Sequence, residues 1–137
     1  MQRKPQCKRA APTAPACRRV PSVPERKETT MQDLELIAFQ IISNVGSARS
    51  AFVNAIRAAK AGDFARAEKL IEEGETDFLA GHKAHQQLLT DEAAGTAAPV
   101  TLLLAHAEDQ LMSAEAFKIL AREFIDLYQR VEEKAPR

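Results

Sequence analysis

The chain has 137 residues, a length that suits one domain, and its 19 Lys and Arg are matched by 19 Asp and Glu. The charge is unevenly spread: residues 1–30 hold eight basic side chains (Arg3, Lys4, Lys8, Arg9, Arg18, Arg19, Arg26, Lys27) against Glu25 and Glu28, so residues 31–137 carry the compensating acidic excess. An acidic body argues against a nucleic-acid surface, and no run approaches the roughly 18 apolar residues expected of a membrane span.

The first segment, 1–30, holds five of the seven prolines (Pro5, Pro12, Pro15, Pro21, Pro24), which excludes a long helix. It reads as a basic, disordered leader, with Met31 as an alternative start. Positive charge without an apolar core makes it a poor secretory signal. Cys7 and Cys17 both lie in this leader, so residues 31–137 can build neither a disulfide nor a thiolate zinc site. That usage suits the cytosol.

From Met31 the pattern changes. Leu34, Ile37, Ala38, Ile41, Ile42, Val45, Ala48, Phe52, Ile56 and Ala59 recur at steps of three and four, the mark of an amphipathic helix of about eight turns. Gly46 interrupts it, which implies a bend or the close approach of another helix. The sequence "AGDF" ends this helix: Gly62 suits the left-handed position after a helix, and Asp63 can cap the next. The second helix shows Phe64, Ala67, Ile71, Gly74, Phe78, His82, His85 and Leu89 on one broad face, and "DEAAGTAAP" (91–99) breaks it. The third runs from about Val100 to Glu133, with Leu103, Ala107, Gln110, Leu111, Ala114, Phe117, Ala121, Phe124, Tyr128 and Val131 at helical spacing.

No segment reads as a strand, so the fold class is all-α. Short links between long helices predict an antiparallel up-down three-helix bundle. The third helix is apolar nearly all round between Val100 and Ala107, and such a helix needs partners on several sides. Two neighbours cannot cover it, so the bundle is expected to self-associate.

The polar candidates are few. His106 and Asp109, at i and i+3 within "LLLAHAEDQLM" (102–112), share one helical face, with Gln110 at i+4. A neutral imidazole is a nucleophile, and a nearby carboxylate can orient it or stabilise its cation. By spacing alone a satisfied interfacial histidine is the more ordinary reading. His82 and His85 form a second i, i+3 pair, weak as a metal site without fixed carboxylates nearby. The Glu-x-x-His signature of di-iron bundles is absent, because Leu79, His82 and Leu103 stand three residues before the histidines. There is no phosphate-binding glycine loop and no nucleophile elbow. The acidic run "EKLIEEGETD" (68–77) reads as a solvated face.

Three stretches, "GSARS" (46–50), "AGDFARAEKLI" (61–71) and "LLLAHAEDQLM" (102–112), give residues 31–137 a resemblance to the lactose/cellobiose-specific enzyme IIA component of the bacterial phosphoenolpyruvate-dependent sugar phosphotransferase system. The likeness covers none of the leader. It implies a cytoplasmic homotrimer of three-helix subunits forming a nine-helix assembly. By the same resemblance His106 stands where the family carries its phosphorylated histidine. Asp109 stands where the family places a carboxylate that, with its symmetry mates, binds one divalent metal ion, magnesium foremost, on the threefold axis. His82 matches a histidine of the family's second helix. The implied partners are the phosphocarrier protein HPr and a sugar-specific IIB protein, with the membrane reached only through the transport complex and no nucleic acid involved. Gln110 departs from the pattern, since many members read H-x-x-D-H-L-M with a second histidine there.

A carrier of this kind needs one exposed imidazole that attacks phosphorus and later leaves. Gln110 and Ser113 are candidate donors to the phosphoryl oxygens, and Leu102, Ala105 and Met112 offer apolar surface for transient docking. Two other readings stay open: a non-catalytic helical adaptor in which His106 only packs, and a metal-storing oligomer using His82, His85 and Asp109.

Overall fold

The computed structural model describes residues 30–96 and 99–134. The leader expected over 1–30 therefore lies outside the described residues, except for Thr30. These residues form three helices, α1 (Met31–Lys60), α2 (Phe64–Ala93) and α3 (Leu102–Lys134), and among the described residues there is no strand.

The helix ends follow local chemistry. Thr30 caps α1 through a reciprocal pair: its hydroxyl accepts from the Asp33 amide at 3.2 Å, and the Asp33 carboxylate accepts from the Thr30 amide at 3.0 Å. Thr30 thus belongs to the folded body, one residue earlier than the sequence boundary. At the other end Gly62 turns to φ 78°, its amide donates to the Ala59 carbonyl, and the Asp63 amide donates to the Ala58 carbonyl. This double bond closes α1 in a Schellman motif. Asp63 then caps α2 by accepting from the Arg66 amide at 3.0 Å. The motif recurs where α2 ends: Gly95 has φ 82°, with its amide on the Glu92 carbonyl and the Thr96 amide on the Asp91 carbonyl. Thr101 opens α3 by accepting from the Leu104 amide at 3.1 Å.

The bundle is antiparallel, as its cross-helix pairs show. Gly81 faces Val45 while Gly74 faces Phe52, so α2 descends as α1 rises. His85 pairs with Glu108 while Glu75 pairs with Arg122, so α3 rises again. The core is a seam of small and large residues. Ala38, Ile41, Val45, Ala48, Phe52, Ala55 and Ala59 of α1 cluster with Ala67, Ile71 and Phe78 of α2 and Ala107, Leu111, Ala114, Ala121 and Ile125 of α3, and Leu34 is buried as well. No polar or charged side chain is buried among the described residues. Apolar burial at about 25 cal/mol per Å² is therefore the main force holding the helices together.

Several expectations need correction. Gly46 neither breaks α1 nor admits a neighbour: the helix runs through it, and a Cβ built there would meet nothing within 4 Å. The close approach is at Gly74 and Gly81, where a Cβ would sit 2.6 Å from Phe52 Cε1 and 2.7 Å from Val45 Cγ1. Leu89 and Val131 are exposed rather than core, and Phe124 is on the exposed side too, while Ala55, Gly81 and Ile125 are buried instead. α1 also contains an 18-residue window of mean hydropathy 1.2, long and apolar enough by length and composition to cross a membrane. The sequence reading missed this because polar residues interrupt the run. The most buried residues of this helix are packed against α2 and α3.

Candidate functional site

α3 begins at Leu102, which places His106 in its second turn, with its side chain exposed to solvent. Asp109 follows one turn on, also exposed and about 4.5 Å further along the axis. Neither side chain makes a hydrogen bond or ion pair among the described residues. Gln110 is half-buried on the same flank, within one turn of His106. Ser113 is half-buried as well, but lies two turns from His106, about 10 Å along the axis. Within one chain, then, Gln110 neighbours the imidazole and Ser113 does not. Leu102, about one turn before the histidine, is 88% exposed, Ala105 is exposed beside it, and Met112, between one and two turns on, is 61% exposed. The structure thus provides an open imidazole on a rigid helix, surrounded by apolar surface.

The second histidine pair lies on the inner side of the same end. His82 is half-buried and stacks on Phe78, ring centroids 5.9 Å apart, and its ring is 5.9 Å from that of His85. Lys118 from α3 covers Phe78 at 4.9 Å, a cation–π contact that adds to the α2–α3 seam. His85 does have a fixed carboxylate nearby, contrary to expectation: its Nδ1 lies 2.7 Å from Glu108 Oε1. Glu108 is the residue that the sequence reading missed. Its neighbours His106 and Asp109 face solvent, and helical geometry turns the residue between them toward α2. The contact spans 23 positions of chain, so no local spacing announces it. His82, His85 and Asp109 do not gather, and no group of three or more His, Cys, Asp or Glu among the described residues is arranged to hold a metal. This removes the support for a storage site within one chain.

The outward side of α3 carries a long apolar stripe. Leu102, Met112, Ile119, Leu120, Phe124, Leu127 and Val131 are all at least 39% exposed, and Asp109 falls within the same stripe by its helical phase. Its lower part frames a shallow groove of about 310 Å³ between Leu120, Phe124, Leu127 and Arg130. So large an apolar surface on a small body marks an interaction face.

Comparison with known proteins places this arrangement. A family model described as PTS system, Lactose/Cellobiose specific IIA subunit, matches residues 36–129. The oligo-beta-mannoside-specific EIIA component of Bacillus subtilis (strain 168) is 41% identical over 105 residues, covering 77% of this chain and 94% of that protein. The crystal structure of a cellobiose-specific enzyme IIA from Bacillus anthracis superposes with TM-score 0.74 at 38% identity, over 80% of this chain and all of the other. A chitobiose IIA solved in complex with HPr superposes with TM-score 0.64 at 29% identity, over 72% of this chain and 96% of the other. The matched span includes His82, His85, His106, Glu108, Asp109, Gln110 and Ser113.

Proposed function

We propose that this chain, which belongs to the lactose/cellobiose-specific IIA family of the phosphotransferase system and is a phosphocarrier of sugar uptake, carries its phosphoryl group on His106. The observation that supports this most is the exposed imidazole on the second turn of α3, with Asp109 one turn beyond it. The donor is HPr, the partner of the related chitobiose IIA, and the acceptor is a cysteine of a sugar-specific IIB protein. The sugar is an oligosaccharide of the kinds named for the relatives, and the setting is the cytoplasm.

The chemistry is two in-line displacements. An imidazole nitrogen of His106 attacks phosphorus while the nitrogen–phosphorus bond of the donor phosphohistidine breaks and the donor imidazole leaves. In the second step a cysteine thiolate attacks the same phosphorus, a sulfur–phosphorus bond forms, and His106 departs as free imidazole. Neither step needs a general acid from this chain. What the chain supplies is position and access. The helix carries the ring, Gln110 one turn on would donate its amide to a phosphoryl oxygen, and Leu102, Ala105 and Met112 give visitors a surface that they cover only briefly.

The part of the apolar stripe away from His106, at Leu120, Phe124, Leu127 and Val131, supports assembly into a homotrimer in which three such faces meet. Assembly would bring Asp109 into the joined surface together with its copies. Several carboxylates drawn from water into one place are costly unless compensated, and carboxylate oxygens suit a hard divalent cation such as magnesium. Asp109 from each subunit would hold that ion. When bound, it offsets the carboxylate charge and ties the subunits together.

Two measurements test the proposal. Replacing His106 by Gln abolishes labelling by phosphoenolpyruvate, enzyme I and HPr, while light scattering still gives the mass of the wild-type assembly. A variant that still takes the label refutes the assignment to His106. A wild-type chain that gains no acid-labile, base-stable phosphate supports a non-catalytic adaptor instead.

A further inference from the structure

Among the described residues only two side-chain hydrogen bonds join different helices, and both tie α2 to α3. One, Arg122 to Glu75 at 2.9 Å, lies toward the far end of the bundle. The other, His85 to Glu108 at 2.7 Å, lies two residues from His106. An ionised carboxylate only accepts, so the His85 Nδ1–H donates and Glu108 Oε1 receives. His85 is 16% and Glu108 35% exposed, so the contact is partly shielded from water.

Its place on α3 gives it a consequence for His106. Two residues along a helix is about 200° of rotation, so Glu108 points nearly opposite to the imidazole. Anchoring Glu108 on α2 therefore sets the rotation at which His106 faces outward. The His85–Glu108 contact is the one side-chain hydrogen bond between helices at this end among the described residues. Where the chain enters α3, Val100 is 83% and Leu102 88% exposed, while Thr101 caps the helix. Ala107 and Leu111 are buried and Leu103 partly so, and their packing orients the helix as a whole; the Glu108 bond adds a directional tie beside His106. The tie at Arg122 is fourteen residues away, about 21 Å along the axis. The same bond also holds the Glu108 carboxylate on the side away from an arriving phosphoryl group, which is itself anionic.

We propose that His85, through Glu108, is a positioning residue for His106: it fixes the rotation of the first turns of α3 so that the imidazole meets the phosphoryl donor in line. The proposal rests on the reading of His106 as the carrier residue. The role is not catalytic, since His85 touches neither phosphorus nor the attacking ring.

The test uses the full chain with phosphoenolpyruvate, enzyme I and HPr, and measures the initial rate of His106 phosphorylation as HPr concentration is varied. His85→Ala lowers the maximal rate about tenfold, the scale expected of a small misplacement, while the half-saturating HPr concentration changes less than about twofold. His85→Gln, whose side-chain amide can still donate to Glu108, recovers at least half of the loss on a logarithmic scale. Glu108→Ala is as slow as His85→Ala, and the double variant is no slower than either, because both act through one contact. Hydrogen exchange reads the cause: amides 103–110 lose protection in His85→Ala while those of 111–125 keep it. His85→Ala at the wild-type rate, failure of Gln to rescue, or single effects that multiply in the double variant each overturn the proposal. A wild-type chain that takes no label on His106 overturns the carrier reading and this proposal together. A labelled wild type beside an unaffected His85→Ala overturns only the positioning role.

Discussion

Replacing Gly74 by Ala puts a methyl group where the structure has a ring. The new Cβ would lie 2.6, 2.9 and 3.1 Å from Phe52 Cε1, Cδ1 and Cζ. Carbon atoms rest at about 3.5–4.0 Å, so the ring or α2 must retreat by close to 1 Å. Phe52 is fully buried and has no open space to retreat into. Overpacking of this kind costs about 1–3 kcal/mol, while alanine in a helix interior gains about 1 kcal/mol over glycine. The net expectation is a loss of roughly 1 kcal/mol. Gly46→Ala is the control, because its Cβ would meet nothing within 4 Å. Only the helix-propensity gain remains there, about 1 kcal/mol of added stability. The difference between the two variants, about 1–3 kcal/mol, isolates the crowding at Phe52, since the propensity gain cancels. Urea unfolding followed by circular dichroism, at one fixed protein concentration because any assembly would add to stability, measures both. A Gly74→Ala chain as stable as Gly46→Ala would refute the claim that α1 and α2 touch through that glycine.

The cap of α1 and the apolar stripe of α3 give two further outcomes. Thr30→Ala removes the hydroxyl that accepts from the Asp33 amide and lowers stability by about 1 kcal/mol, with faster amide exchange confined to the first turn of α1. Leu120→Asp together with Leu127→Asp places charge on the exposed stripe of α3, where the two leucines are 48% and 50% exposed. Light scattering should then fall to the mass of one chain while the helical signal is kept, and an unchanged mass would separate the stripe from self-association.

The helices were legible because their ends carry chemistry and their middles carry a period. Gly62 with Asp63 marks a boundary through hydrogen bonds that only certain residues make, while the Thr30 cap and the Gly95 turn emerge only in the structure. Periodicity does not say which of two apolar faces is inward. On α3 the buried set of Ala107, Leu111, Ala114, Ala121 and Ile125 alternates with the exposed set of Leu120, Phe124, Leu127 and Val131, so the sequence reading mixed them. The three helical glycines look alike in one dimension, and only the packing of α1 on α2 distinguishes open Gly46 from crowded Gly74 and Gly81.

The site divides in the same way. His106 and Asp109 share a face through the spacing of one helix, which any reader of the sequence can compute. The resemblance carried by "LLLAHAEDQLM" then gave that spacing a meaning. Glu108 sits between them, and its role depends on α2, because the partner His85 comes from another helix. Helical phase alone predicts that Glu108 points elsewhere, but not toward what. Ser113 shows the opposite error: a sound phase with His106, but two turns away.

The central claim, that His106 bears the phosphoryl group, is tested most directly by mapping the site. The wild-type chain is incubated with phosphoenolpyruvate, enzyme I and HPr, digested at alkaline pH, and sequenced by mass spectrometry. The account predicts a single phosphoryl group per chain, on the peptide containing His106 and on that residue. Phosphate found on His82 or His85 instead, or no phosphate on any histidine, would contradict it.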